Sequence, residues 1–122
     1  REPLSLLLVD LDEFKLFNDT HGHLAGDQAI IRVASALRTA VRANDVVARY
    51  GGDEFVVVLP NTTGEAARRI GKDIAAAMPE AITLSAGVSC MGDGVDTPEG
   101  LLDAADRALF EAKRARLGAA MG

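Results

Sequence analysis

Arg49-Tyr50-Gly51-Gly52-Asp53-Glu54-Phe55 decides how the rest of this chain is read. Valines and aromatics flank a glycine pair, which predicts a hairpin of two strands, Asp45 to Tyr50 and Glu54 to Leu59, with Gly51 and Gly52 supplying the positive φ of a primed turn. Two carboxylates follow the glycines directly. At a sheet edge, beside residues without side chains, they are open to a cation or a polyphosphate. Taken alone, Gly-Gly-Asp-Glu is an ordinary solvated hairpin tip, and only its surroundings can make it a site.

On the N-terminal side, Leu4 to Val9 is a continuous aliphatic run ending in Asp10, the pattern of a central strand covered on both faces. Glu13 to Asp19 predicts a short helix with Phe14 and Phe17 inward and Lys15 on another face. A polar loop through His21, Gly22 and His23 leads to the most regular helix, Leu24 to Arg42, where Ile30, Val33, Ala34, Leu37 and Val41 recur at three and four. The spacing 27, 31, 34 carries Asp27 onto that buried stripe, where an unpaired carboxylate is costly. Either the helix N-terminus or a ligand presenting N–H donors would satisfy it.

On the C-terminal side, Pro60 ends the hairpin, and Thr62-Thr63-Gly64-Glu65 supplies a capping-box pattern for a helix to about Met78, with Ala67, Ile70 and Ile74 inward. Ala81 to Ser89 predicts another strand and Gly92 to Asp96 a loop. Thr97-Pro98 caps a last helix that turns Leu101, Ala105, Leu109 and Ala112 inward and closes on Lys113, Arg114 and Arg116, cations that complement a helix C-terminus. The fold class is therefore α+β, a ferredoxin-like β-α-β-β-α-β sheet with an extra C-terminal helix. In such a unit the second hairpin strand runs antiparallel to the first strand of the domain, so Asp10, Asp53 and Glu54 arrive at one edge. Three carboxylates with no arginine among them suit a hard divalent cation, and Mg²⁺ completes its shell with water and substrate phosphates.

Composition narrows the partners. The 122 residues suffice for one domain with its own core. Thirteen basic against eighteen acidic residues give a net charge of −5, and with no Trp and one Tyr the chain is a poor match for nucleic acid or an anionic membrane. An RNA-binding module on this fold would carry stacking aromatics on its sheet and a basic face. The aliphatic runs are too short to span a bilayer. Cys90 stands alone, which excludes an internal disulfide and reads as a small buried hydrophobe in a reducing, cytoplasmic setting.

Three further segments carry a resemblance. Asp10-Leu11-Asp12-Glu13-Phe14-Lys15-Leu16-Phe17-Asn18-Asp19, then Gly22-His23 and Gly26-Asp27, then Ala105-Asp106-Arg107-Ala108-Leu109-Phe110-Glu111-Ala112-Lys113, together with Gly51 to Phe55, resemble the GGDEF, or diguanylate cyclase, family over nearly the whole chain. The resemblance implies a fold related to class III nucleotide cyclase catalytic domains and the condensation of two GTP into cyclic di-GMP with release of pyrophosphate, a bacterial second-messenger reaction. It implies that Asp10, Asp53, Glu54 and the Leu11 carbonyl hold Mg²⁺ or Mn²⁺, and that Asp53, assisted by Glu54, favours deprotonation of the attacking hydroxyl. Asn18 and Asp27 would bind guanine with His23 nearby; the amides of Phe14 and Lys15 would cradle phosphates, and Lys113 would add charge. Arg42 and Asp45 resemble the family's product-inhibition site, while an Arg on a last helical turn beside a strand-opening Asp explains them equally well. Catalysis would need a homodimer.

The chain also departs from the pattern. It begins just before the first strand, so residues 1–122 read as a GGDEF domain without its N-terminal helix. Leu117 stands where a phosphate-binding Arg is expected, with Arg116 or Arg114 as substitutes, and Phe110 replaces a Tyr. The alternative is a degenerate module that binds GTP or cyclic di-GMP and regulates without catalysis.

Overall fold

The computed structural model describes residues 2–79, 81–92 and 94–121; Asp93, in the loop expected over Gly92 to Asp96, lies outside them. The elements are β1 (Leu4–Leu11), α1 (Phe14–His21), α2 (His23–Ala40), β2 (Val46–Arg49), β3 (Glu54–Pro60), α3 (Gly64–Ala76), β4 (Leu84–Cys90) and α4 (Pro98–Met121). They build a four-stranded sheet in the order β2-β3-β1-β4, with every neighbouring pair antiparallel. This is the expected split β-α-β topology. The aliphatic run of β1 is explained by its central place, covered on both faces.

Alternation sorts β1 between two cores. Leu7, Val9 and Leu11 join Phe55, Val57 and Leu59 of β3 beneath Ile30, Val33 and Leu37 of α2 and Ala67 and Ile74 of α3. Leu6 and Leu8 turn the other way, onto Leu101, Ala105 and Leu109 of α4. That face carries one helix, and beside it Leu4, Leu6, Val56, Val58, Met91 and Leu102 line an apolar cavity of about 330 Å³. The helix α4 sits against β4 at Gly87: a Cβ there would stand 2.3 Å from the Ala105 carbonyl oxygen and from the Leu109 nitrogen. Ser89 donates its hydroxyl to the Leu101 carbonyl at 2.7 Å, a second tie between the two elements.

Several local expectations are corrected. Neither Gly51 nor Gly52 has positive φ. The connection is wider than a two-residue primed turn: Tyr50 and Gly51 both donate to the Glu54 carbonyl, at 2.8 and 3.3 Å. Arg49 fixes the loop by donating to the carbonyls of Gly51 at 3.2 Å and Gly52 at 2.5 Å. Thr63 caps α3 by accepting from the Ala66 amide, whereas Glu65 lies 3.8 Å from Arg69, so the reciprocal half of a capping box is missing. Cys90, at the end of an edge strand, is half-buried rather than fully buried. Asp27 is exposed, because the buried stripe of α2 runs through Gly26, Ala29, Ile30, Val33 and Leu37 and leaves Ile31 66% exposed.

Candidate active site

The register of the sheet builds the site. Asp10 pairs with Glu54 across β1 and β3 and with Ser85 across β1 and β4, and directly opposed residues of an antiparallel pair share a face. The Leu11 amide donates to the Asp53 carbonyl at 3.1 Å, so the glycine-rich loop is tied to the end of β1. Immediately beyond, Glu13 takes a left-handed conformation, φ 51°, which breaks the strand and opens α1 at Phe14. A non-glycine residue is rarely held there without a reason in its surroundings. The first amides of α1, including those of Phe14 and Lys15, lack intrahelical acceptors and point along the positive end of the helix dipole.

Asp10 is the strained carboxylate of the group. Burial pushes its pKa up to about 6; the Lys113 ammonium, 3.2 Å away, pulls it back, and Asp53 and Glu54 add to the rise. Its Oδ1 is buried without a hydrogen-bond partner. Asp53 and Glu54 therefore lie near enough to act on Asp10, but the three do not close into a cage. Among the described residues no three His, Cys, Asp or Glu side chains are grouped to hold a metal ion. An orphaned carboxylate oxygen beside two further acids fits a hard cation all the same, provided that water and a ligand's own oxygens fill most of the shell, as is usual for Mg²⁺.

The guanine-binding candidates diverge. Asn18 lies in α1, where its Oδ1 is buried without a partner and presses on Gly26: a Cβ at Gly26 would fall 1.7 Å from it. His23 and Asp27 are exposed on the first turns of α2, and Lys15 is exposed on α1. Asp27 thus needs no buried partner. Phe14 stacks on Phe17 with centroids 6.4 Å apart, and Phe17 in turn lies 4.6 Å from the His21 ring.

Three residues were quoted in the sequence without a role of their own. Gly26 sits inside the most regular helix, where glycine costs about 1 kcal/mol relative to Ala, a signal that something packs against it. Arg49 fixes the loop. Asp12 appeared only within the segment Asp10 to Asp19; it proves better connected than Asp10, with Ser85, Thr83 and Lys113 all within hydrogen-bonding distance. At the end of α4, Arg116 approaches Asp12 at 3.5 Å, Arg114 lies over the Phe110 ring at 5.9 Å, and Leu117 is half exposed.

Arg42 is committed elsewhere. Its guanidinium meets Asp45 at 3.3 and 3.4 Å, donates to the Pro60 carbonyl at 2.7 Å, and reaches the Thr62 hydroxyl. Among the described residues no helix is long and apolar enough to cross a membrane.

Comparison with known proteins agrees over nearly the whole chain. The family model described as "Diguanylate cyclase, GGDEF domain" matches residues 1–118. Diguanylate cyclase A of Treponema denticola is 37% identical over 124 residues, covering 93% of this chain and 33% of that protein. The response regulator PleD of Caulobacter vibrioides is 39% identical over 133 residues, covering 99% of this chain and 29% of that protein. The chain thus spans a third or less of the length of these curated relatives. Among solved structures, the active GGEEF domain of a diguanylate cyclase from Vibrio cholerae superposes with a TM-score of 0.87 at 36% identity, covering 94% of this chain and 79% of that one. The GGDEF domain of DgcB from Caulobacter crescentus, solved in complex with c-di-GMP, gives 0.83 at 31% identity, covering 93% and 73%.

Proposed function

The chain belongs to the GGDEF, or diguanylate cyclase, domain family, and from that premise we propose that it joins two GTP into cyclic di-GMP and two pyrophosphates. The observation that carries this reading is the pairing of Asp10 with Glu54 at a sheet edge where Asp10 keeps a buried, unpartnered oxygen and a raised pKa. Carboxylates left in that condition are made for something absent from the chain itself.

Asp10, Asp53, Glu54 and the Leu11 carbonyl are the residues that would hold Mg²⁺ or Mn²⁺. Bound there, a divalent cation supplies charge for the triphosphate and lowers the pKa of the attacking hydroxyl. The chain's own residues do the rest. Asn18 binds the guanine edge, with Asp27 and His23 beside it. The amides at Phe14 and Lys15 receive phosphate oxygens, and Lys113 adds a point charge. The ribose 3′-hydroxyl of one nucleotide attacks the α-phosphorus of the other. As the new O–P bond forms, the bridging bond to the β-phosphate breaks, pyrophosphate leaves, and Asp53 with Glu54 receives the hydroxyl proton.

One copy carries one such set of residues, and the product holds two guanylyl units joined by two phosphodiester bonds. Two copies must therefore face each other about a twofold axis, each bringing its hydroxyl to the partner's phosphate. The purely regulatory alternative has less support, since the acids of the edge are all present. The test is to incubate the protein with GTP and Mg²⁺ across a wide dilution series and to chromatograph the products. Cyclic di-GMP is expected, with a rate per mole of protein that rises with concentration and vanishes in a folded Asp53→Asn variant. Absence of cyclic di-GMP at every concentration overturns the activity; a rate per mole that stays flat down to demonstrated monomer overturns the two-copy mechanism.

A further inference from the structure

Asp12 has none of the roles above, yet it is the most heavily bonded acid at this edge. Its side chain is 2% exposed. Thr83, just before β4, donates its Oγ1 to Oδ2 at 2.9 Å, and Ser85 of β4 donates its Oγ to Oδ1 at 2.6 Å. From α4, Lys113 Nζ stands 3.3 Å and Arg116 Nε 3.5 Å from Oδ1. The ammonium is shared, because Lys113 Nζ is also 3.2 Å from Asp10 Oδ2. Arg116 Nε is buried and, for all its nearness, makes no hydrogen bond.

We infer that Asp12 is a positioning residue: it holds Lys113 and Arg116 over the Asp10 edge as the cation pair that receives the triphosphate. This rests on the guanine-nucleotide reading of the site. An ammonium held by Asp10 alone would lose its countercharge, and meet repulsion, as soon as Asp10 engaged a divalent cation. Asp12 prevents this. It is fixed from below by two hydroxyls, which orient it without neutralising it, and its burial makes the loss of its cations costly. Four carboxylates and two cations leave this edge with an excess of two negative charges, which one divalent cation balances. The same geometry separates the candidates at the end of α4. Arg114 is drawn off over Phe110 and Leu117 carries no charge, so Arg116 is the arginine beside the acids.

The test separates the triphosphate from the base. The protein is titrated calorimetrically, in Mg²⁺, with GMP and with the α,β-methylene analogue of GTP, which cannot release pyrophosphate. Asp12→Asn is expected to weaken the analogue about tenfold, the size of one charge-assisted contact, while GMP changes by less than about twofold. Lys113→Met should do the same, and the double variant should add little. Should Asp12→Asn fail to fold, Lys113→Met alone decides. Equal loss of both ligands, or an unchanged preference for the analogue, overturns the role. Wild-type protein that binds neither ligand overturns the guanine reading instead. The positioning of Lys113 is then decided without nucleotide, by the ¹⁵N signal of its ammonium, which should exchange slowly in wild type and disappear in Asp12→Asn. Persistence of that signal overturns the inference.

Discussion

The two ends of the β1–β3 pair each carry an acid beside a cation, and they differ in what is left over. At the end where Leu4 meets Pro60, Arg42 is bonded to Asp45, to Pro60 and to Thr62, and Asp45 accepts the Arg42 amide at 2.7 Å as well. At the end where Asp10 meets Glu54, one carboxylate oxygen and one guanidine nitrogen are buried without a hydrogen bond, and a carboxyl pKa is displaced to about 6. Identical residue types thus make a fastener at one end and an unfinished site at the other. Any product bound at Arg42 and Asp45 must first take the guanidinium from Pro60 and Thr62, so that pair earns its place structurally even without a ligand.

The comparison breaks most easily at Asp10. Asp10→Asn should cut turnover about a hundredfold or more, since metal-borne charge stabilisation is worth several kcal/mol. It should also raise the melting temperature of the nucleotide-free protein at neutral pH. The sign follows from the displaced pKa: the folded state holds the Asp10 proton more tightly than the unfolded chain, whose carboxyl titrates near 3.8. Stability is therefore lost as pH rises from about 4 to about 6, and the variant escapes that loss. Melting curves of both proteins should converge near pH 3.5 and separate above pH 6; a variant less stable than wild type at neutral pH would remove the distinction between the two ends.

A smaller effect is expected from Gly26→Ala. The added methyl must displace the Asn18 carboxamide, and losing one oriented polar contact to the base should weaken GMP binding about tenfold by calorimetry. Unchanged affinity would free Asn18 from any role with guanine. The smallest effect belongs to the fastener itself. Arg42→Ala should lower the unfolding free energy by about 1 kcal/mol, read from the urea midpoint, because the guanidinium it removes is itself more than half exposed and the buried Asp45 keeps the backbone amide of residue 42. A loss several times larger would mean that the two loops it joins unfold as a unit.

The strands were legible because alternation and aliphatic runs survive in the sequence, and the split topology then fixed which acids meet. The Asp10–Glu54 pairing is a consequence of register, and register is specified wherever a face is buried. Helix phase was less secure. Asp27 was assigned to the stripe of Ala34, yet Gly26, Ala29 and Ile30 form the buried turn, and a shift of one residue, about 100° around the helix, moved a carboxylate into solvent. Gly51 and Gly52 suggested backbone freedom but keep ordinary φ, their carbonyls taken by a neighbouring arginine. Asp12 was hidden for another reason: its partners lie more than seventy residues away, on β4 and just before it, and about a hundred away on α4. Short-range patterning cannot report such separations.

Gly87 gives the α4 cations a mechanical origin. The helix can rest on β4 only because that position has no side chain, and Lys113 lies one helical turn beyond Leu109, the residue whose backbone a Cβ at Gly87 would strike. A methyl there would act as a wedge beneath a lever, tilting α4 and swinging its far arm away from Asp10 and Asp12. The alignment of charges at this edge is therefore calibrated by an uncharged residue in the middle of a strand, and substitutions that never touch an acid or a base can detune the site by changing the height of one helix.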